Sequence, residues 1–367
     1  MKKRLFINAR ELTRPVLHSM QQILLETVPR LAQKYEVTVL SDILLDRTLL
    51  KRLNLSPEQN HAHGKPAVKN WSHLCYQAWL RKQVKRETPD FYLEINHNLL
   101  FDPHPAKALV MIHDFYTFQQ VEKLGVVMKL KRWINSRRTL RYAHAVMTPS
   151  LQAKEEINQF FTYPEEKIFV NPPGIDHSRE CPQQKPAGLP DGPFLFFVGR
   201  ICYWKGIDLL IQAMDAEGFP TGINVILAGN LEARFSPLLE EGLNRHERLF
   251  YLGRVSDEER EYLFQNSRGF LFPTRFEGFG LPPLEAALRE CPLLVSDIPI
   301  MKEVTRGKAS YFSLEGGAPA LARSVRELLA HPDPERVKEM RQAAESYTWD
   351  AFTENIVKIL DSLSTSR

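Results

Sequence analysis

The chain has 367 residues, 43% hydrophobic and 25% charged, the proportions of a soluble globular protein long enough for two domains of ordinary size. Its four cysteines, at 75, 181, 202 and 291, have neither metal-type nor disulfide-type spacing, which argues against a secreted disulfide scaffold and fits a reducing cytoplasm. Only Leu5, Phe6 and Ile7 separate the basic start from Asn8, too short a run for a signal peptide, and no apolar run reaches membrane-spanning length.

The net charge of +4 is unevenly spread. Residues 1–172 carry 26 Lys+Arg against 16 Asp+Glu, and the remainder carries 22 against 28. Such a change of sign supports two domains with different partners, the basic one suited to an anionic membrane, an anionic substrate or nucleic acid.

Leu5-Phe6-Ile7-Asn8-Ala9 reads as a first strand. Val16, Met20, Ile23, Leu24, Val28 and Leu31 then recur at helical spacing, and Val37-Thr38-Val39-Leu40 makes a second strand. This is a βαβ opening. The turn at 9–18 has no glycine, and its Arg10, Arg14 and His18 either reach a ligand or form a solvated basic loop. Residues 44–88 are polar, basic and without clear period. His61 and His63, beside Gly64-Lys65-Pro66 and ahead of Trp71 and His73, read as a mobile acceptor-side loop rather than a metal site, since no Cys or carboxylate joins them.

Residues 91–95 and 108–112 are further strands, the second running into His113-Asp114-Phe115-Tyr116. Open parallel sheets bind ligands at the carboxyl ends of their strands, so His113 is a candidate, although a lone histidine there is also explained structurally. Between 123 and 141, Lys123, Lys129, Lys131, Arg132, Arg137, Arg138 and Arg141 occur with no acid, while Val126, Val127, Leu130, Trp133 and Ile134 keep helical spacing. That suits either an interfacial helix on an anionic membrane or a helix packed on its domain by those apolar residues with a solvated basic face. Nucleic acid is disfavoured, because the run has a single aromatic and no binding motif. Residues 145–150 form the next strand, with Ser150 as cap of a helix from Leu151, and residues 168–171 the last of this half.

Residues 177–193, with Pro182, Pro186, Pro190 and Pro193, read as a linker. The apolar run 194–198 ends in Gly199-Arg200, and Lys205-Gly206 precedes a helical stretch with Leu209, Leu210 and Met214. Two cations on one strand-to-helix loop can neutralise a diphosphate. Residues 224–229, 249–253 and 293–297 are strands. So is Gly269-Phe270-Leu271-Phe272, followed by Pro273-Thr274-Arg275-Phe276-Glu277-Gly278-Phe279-Gly280-Leu281-Pro282-Pro283-Leu284-Glu285-Ala286. Strand, glycine loop and proline-started helix make an anion site of free amides and helix dipole. Glu277 and Glu285 would repel a phosphate but accept from hydroxyls, and phosphate flanked by hydroxyls describes a nucleotide sugar.

Residues 273–286 resemble the signature of retaining glycosyltransferases of the GT-B fold, family 4. Ile112-His113-Asp114, the crossing Pro172-Pro173-Gly174-Ile175-Asp176, Gly199-Arg200, Lys205-Gly206 and the final stretch 347–360 are similar to the family's pattern as well. The resemblance implies an α/β chain of two Rossmann-like doubly wound domains facing across a cleft. An acceptor-side domain at 1–176 would be completed by a C-terminal helix at 349–367, and a donor-binding domain would span 194–348. Glu277 would contact the donor sugar, Glu285 the ribose, and the amides of Gly278, Phe279, Gly280 and Leu281 the diphosphate. Arg200 and Lys205, after Gly199, would be diphosphate ligands, and Asn230, Arg254 and Val255 would lie near the nucleobase. His113 would be the active-site histidine, with Arg10, Arg14, Asp114 and Tyr116 on the acceptor side. No metal or other cofactor is implied.

The reaction implied is transfer of a hexose such as mannose to a glycan or lipid-linked acceptor of bacterial lipopolysaccharide, capsule or exopolysaccharide. It would take place in the cytoplasm, peripheral to the inner face of the membrane. GDP-mannose and UDP- or dTDP-sugars fit the residues equally. Two rivals remain: a soluble GT-B enzyme of the glycogen-synthase, sucrose-synthase or phosphorylase type, and an inactive nucleotide-sugar-binding partner.

Overall fold

The computed structural model describes residues 2–14, 19–64, 72–115, 125–177 and 182–365. His18, Trp71, Tyr116 and Lys123 lie outside them, as does the side chain of His73. The chain divides into two compact units: one holds the chain up to Gly174 together with Thr348 onward, the other Ile175–Tyr347.

The first unit is built on seven strands: β1 (Arg4–Asn8), β2 (Glu36–Ser41), β3 (Asn60–Ala62), β4 (Phe91–Glu94), β5 (Lys107–Met111), β6 (Ala145–Thr148) and β7 (Ile168–Val170). Their order is β3-β2-β1-β4-β5-β6-β7, every pairing parallel. A parallel sheet is covered on both faces, so its strands are apolar throughout. Leu5, Ile7, Leu93, Leu109 and Met111 pack on the helices Ser19–Lys34 and Trp349–Thr365, while Phe6, Tyr92, Val110 and Val146 pack on Tyr76, Leu80 and Val84 of the helix Ser72–Glu87. The helix Trp349–Thr365 buries Phe352, Ile356 and Leu360. Asn171 Nδ2 donates to the Phe352 carbonyl at 3.1 Å, and a Cβ on Gly174 would stand 2.3 Å from the Trp349 nitrogen.

One expectation changes here, and one choice left open by the sequence narrows. His61 lies not in a loop but in β3, an edge strand paired to β2 and steadied by Asn60, whose Nδ2 donates to the Leu45 carbonyl at 3.1 Å; helices at Arg47–Arg52 and Ser72–Glu87 flank it. The helix Val126–Tyr142 is also not held by its apolar stripe. Val126 and Val127 are 82% exposed, Leu130 55%, Trp133 37% and Ile134 44%, whereas Ser136, Thr139 and Leu140 are buried.

The second unit has β8 (Phe194–Val198), β9 (Asn224–Ala228), β10 (Leu249–Tyr251), β11 (Gly269–Phe272), β12 (Leu293–Ser296) and β13 (Ser310–Phe312), in the order β10-β9-β8-β11-β12-β13, again parallel. The strand order reverses between β8 and β11, which makes the crevice beyond their carboxyl ends the ligand position of an open sheet. Ile175 and Leu189 are buried in this unit's core, so the proline-rich segment is part of the unit's packing.

Candidate active site

At the β8/β11 switch point the chain brings two loops together. After β8, residues Tyr203–Lys205 make a single helical turn that ends at Gly206 with φ 72°, where a Cβ would stand 1.9 Å from the Pro273 carbonyl oxygen. Only glycine allows that approach. The loop after β11 answers with its own bonds. The Arg275 amide donates to the Trp204 carbonyl at 2.7 Å, and the buried Thr274 hydroxyl lies 3.2 Å from the same oxygen. The Arg275 guanidinium forks onto both oxygens of buried Asp208 at 2.7 and 2.8 Å. Such a bidentate pair fixes geometry as well as charge.

The product of this bracing is an ion pair between Lys205 Nζ and Glu277 Oε1, both largely buried, with Thr274 Oγ1 3.3 Å from the same carboxylate oxygen. Lys205 also sits over the Phe272 ring at 5.1 Å, and Arg200 over the Trp204 ring at 5.3 Å. Beyond Glu277, Gly280 has φ 100° and the helix Leu281–Leu288 begins; the Leu281 amide has no partner within the helix, and Pro282 and Pro283 carry no N–H. The Phe279 side chain is buried against Tyr347, leaving only its backbone for a ligand. Glu285 lies in this helix and faces Arg260, whose pKa is raised chiefly by the Glu285 charge.

The neighbouring loops close up the same way. Gly229 has φ 125°, and a Cβ on it would meet the Gly199 carbonyl oxygen at 1.8 Å. The Ile201 amide donates to the Asn230 carbonyl at 2.8 Å. Asn230 and Arg254 are exposed on this rim, with Val255 half-buried.

In the first unit the carboxyl ends of β1, β4 and β5 carry a second group. His113 Nε2 donates to the Ile95 carbonyl at 2.8 Å, which leaves Nδ1 as the acceptor of the neutral ring. Burial pushes its pKa below the usual value, against the Ile95 bond and the charges of Asp114 and Glu11. The His97 amide bonds back to the Met111 carbonyl at 3.2 Å, with His97 at φ 48° and its ring edge-on to Phe115. Burial drives the His97 pKa down to about 3. Arg10 and Arg14 are paired, Arg10 Nε with Asp42 at 2.7 Å and Arg14 Nε with buried Glu11 at 2.7 Å. Asn96 Nδ2 donates to the other Glu11 oxygen at 2.5 Å. The glycine-free turn is thus a short helical turn, Arg10–Thr13, pinned by a buried carboxylate. Beneath it Glu94, wholly buried, accepts from Asn8 Nδ2 at 2.7 Å and the Asn96 amide at 3.0 Å, and burial pushes its pKa up to about 7.

Of the residues the sequence singled out, the structure pairs Lys205 with Glu277, sets Glu285 in the helix that follows and places His113 in the first unit. The sequence did not single out the residues that brace them: Thr274, Arg275, Asp208, Arg260, Glu11 and Glu94. Among the described residues no three His, Cys, Asp or Glu side chains gather as a metal site.

A doubly wound sheet with glycine loops and a cation at its switch point defines a nucleotide-binding class. Family models narrow it: "Glycosyltransferase Family 4" matches residues 20–179 and "Glycosyl transferases group 1" residues 182–347. The chain belongs to glycosyltransferase family 4, with the GT-B fold. It is 37% identical over 290 residues to the serotype-specific mannosyltransferase WbdA of Escherichia coli, covering 70% of this chain but only 34% of that protein. The O-antigen chain mannosyltransferase B of E. coli is 25% identical over 301 residues, covering 77% of this chain and 76% of that protein. In fold the chain matches Anabaena HepE in complex with UDP-glucose, at TM-score 0.76 and 15% identity over 98% of this chain and 100% of that one.

Proposed function

We propose that the protein transfers a hexose, with mannose from GDP-mannose as the leading case, from a nucleotide diphosphate sugar to a glycan or lipid-linked acceptor of O-antigen or lipopolysaccharide synthesis, with retention of anomeric configuration. The observation that carries this is the Lys205–Glu277 pair beside a glycine-capped helix start. An entering diphosphate takes over the Lys205 charge and meets the amides of residues 278–281, and Glu277 is released to hold the donor's hydroxyls. Arg200 and Lys205 then stabilise the departing nucleotide diphosphate, a role cations and helix dipoles fill without a metal. Glu285, faced by Arg260, takes the ribose hydroxyls. His113 offers a neutral Nδ1 to a sugar hydroxyl, and the first unit takes the acceptor. The two mannosyltransferase relatives favour mannose over the other sugars.

No described helix is long and apolar enough to cross a membrane. The exposed apolar stripe of Val126–Tyr142, interleaved with Lys and Arg, instead supports docking on an anionic membrane surface. A thermal-shift panel of GDP-, UDP- and dTDP-sugars tests the reading, because a ligand of the native state raises the melting temperature with its saturation. At least one is expected to stabilise the protein, and Lys205→Ala to abolish the shift. A panel with no stabilising nucleotide ends the reading.

A further inference from the structure

Beside the β1 turn, at the carboxyl ends of β2 and β3, lies a cluster that the proposed reaction has not used. Arg10, Asp42, His63 and Trp79 surround the ring of Tyr76. Tyr76 is fully buried, its hydroxyl bonded to Asn8 Oδ1 at 2.8 Å and the Leu40 carbonyl at 2.9 Å. Trp79 stacks on Tyr76 with centroids 5.6 Å apart and planes 29° apart, and stays half-buried. His63 contacts both rings, at 6.1 and 5.6 Å, and the Arg10 guanidinium lies 4.7 Å over Tyr76.

Two polar atoms here are buried without a hydrogen-bond partner: Asp42 Oδ1 and His63 Nδ1. Burying such atoms unpaired is costly. Their backbones are tied side by side, since the His63 amide donates to the Ser41 carbonyl at 3.0 Å and the Gly64 amide to the Asp42 carbonyl at 2.8 Å. Asp42 Oδ2 already holds Arg10. A phosphate is therefore poorly served, because the arginine's charge is answered and a second carboxylate oxygen faces it. An unpaired carboxylate oxygen needs donors.

We propose that Arg10, Asp42, His63 and Trp79 form a binding subsite for a sugar residue of the acceptor glycan. Asp42 Oδ1 accepts from its hydroxyls, His63 Nδ1 completes the polar set, and Trp79 meets a pyranose face. The proposal rests on the glycosyltransfer reading above. It also places the subsite on the same buried frame as His113: Tyr76 bonds to Asn8, Asn8 to Glu94, Glu94 to the Asn96 amide, and the adjoining Ile95 carbonyl receives His113.

Saturation-transfer NMR on the full chain tests it, with methyl α-mannoside, methyl α-glucoside and methyl N-acetyl-β-glucosaminide as probes. Thermal shifts by GDP and UDP are recorded on the same samples. At least one glycoside is expected to bind the wild-type protein. Asp42→Asn should weaken it at least about tenfold, the effect of losing a hydrogen bond to a charged group, and His63→Ala about threefold to tenfold, that of an ordinary one, both leaving the nucleotide shift unchanged. Asp42→Asn keeps the shape of the site, so it decides the matter if His63→Ala fails to fold. No glycoside signal in the wild-type protein, or equal signals in the variants, overturns the subsite. Glycoside binding that depends on Asp42 in a protein that no nucleotide stabilises would overturn the transfer reading and leave the subsite standing.

Discussion

The two units present the same place, the carboxyl rim of a parallel sheet at its switch point, and build it in opposite ways. The second unit's rim is made of backbone. Gly206 and Gly229 let loops meet at distances no Cβ permits, and one charge pair, Lys205–Glu277, sits on a frame of carbonyl and amide bonds. The first unit's rim is made of side chains. Buried Glu11, Glu94 and Asn8 form a polar lattice with half-buried Asn96, and no glycine occurs in the turn it supports. On the proposed reading the second rim takes a diphosphate, whose fixed shape suits backbone amides, and the first takes an acceptor, read by side chains.

The largest effect that would separate the rims is catalytic. Glu277→Ala and Lys205→Ala are each expected to lower kcat by about 10²–10³-fold, the usual cost of one preorganised electrostatic contact. Circular dichroism should show the variants folded. Turnover near the wild-type rate in both would remove the second rim from the chemistry.

Next is the backbone itself. Gly229→Ala places a methyl 1.8 Å from the Gly199 oxygen at φ 125°. It should cost about 2–4 kcal/mol, seen by calorimetry as a melting point roughly 5–15 °C lower. An unchanged melting point would mean the loops after β8 and β9 can separate freely.

The first rim has a different signature, a pH dependence. Glu94 has its pKa raised by burial from 4.5 to about 7. Below pH 4.5 it is protonated folded or unfolded. As pH rises toward 7 the unfolded chain releases this proton while the folded one keeps it, so stability falls, and above 7 it levels off. At 1.36 kcal/mol per pK unit the loss is roughly 3 kcal/mol. Denaturant titrations across pH 4–8 should show this slope, and Glu94→Gln should flatten it. A variant with the wild-type slope would place the proton elsewhere.

What the sequence made legible follows the same division. Residue types that the backbone demands announce themselves: Gly280 before Pro282-Pro283, and Gly206 after Lys205. Partnerships between side chains do not. Arg275 and Asp208 stand 67 residues apart, Asn8 and Glu94 86 apart, and either glutamate or arginine alone reads as surface. One signal was available, because Glu94 interrupts the apolar run Phe91-Tyr92-Leu93, where a parallel strand is buried on both faces. β3 escaped because three residues carry no period.

The helix Val126–Tyr142 offered the right composition and two readings, and its burial decides against packing by the apolar stripe. Leu130, Trp133 and Ile134 face outward, Arg137 stacks over Trp133 at 5.2 Å, and the helix is seated instead by Ser136, Thr139 and Leu140. Seating by two hydroxyls and one leucine leaves the larger apolar area for something outside. On the proposed reading an anionic bilayer would satisfy both halves of that surface, the stripe entering the interface while the lysines and arginines meet headgroups. Trp133→Ala should therefore weaken sedimentation with phosphatidylglycerol vesicles by about tenfold, the worth of one well-buried side chain. Binding should also fall steeply as salt rises from about 0.1 to 1 M and the screening length shrinks. Equal binding to neutral phosphatidylcholine vesicles would leave the cations without a part in it, and no binding to either would give this face to a protein partner instead.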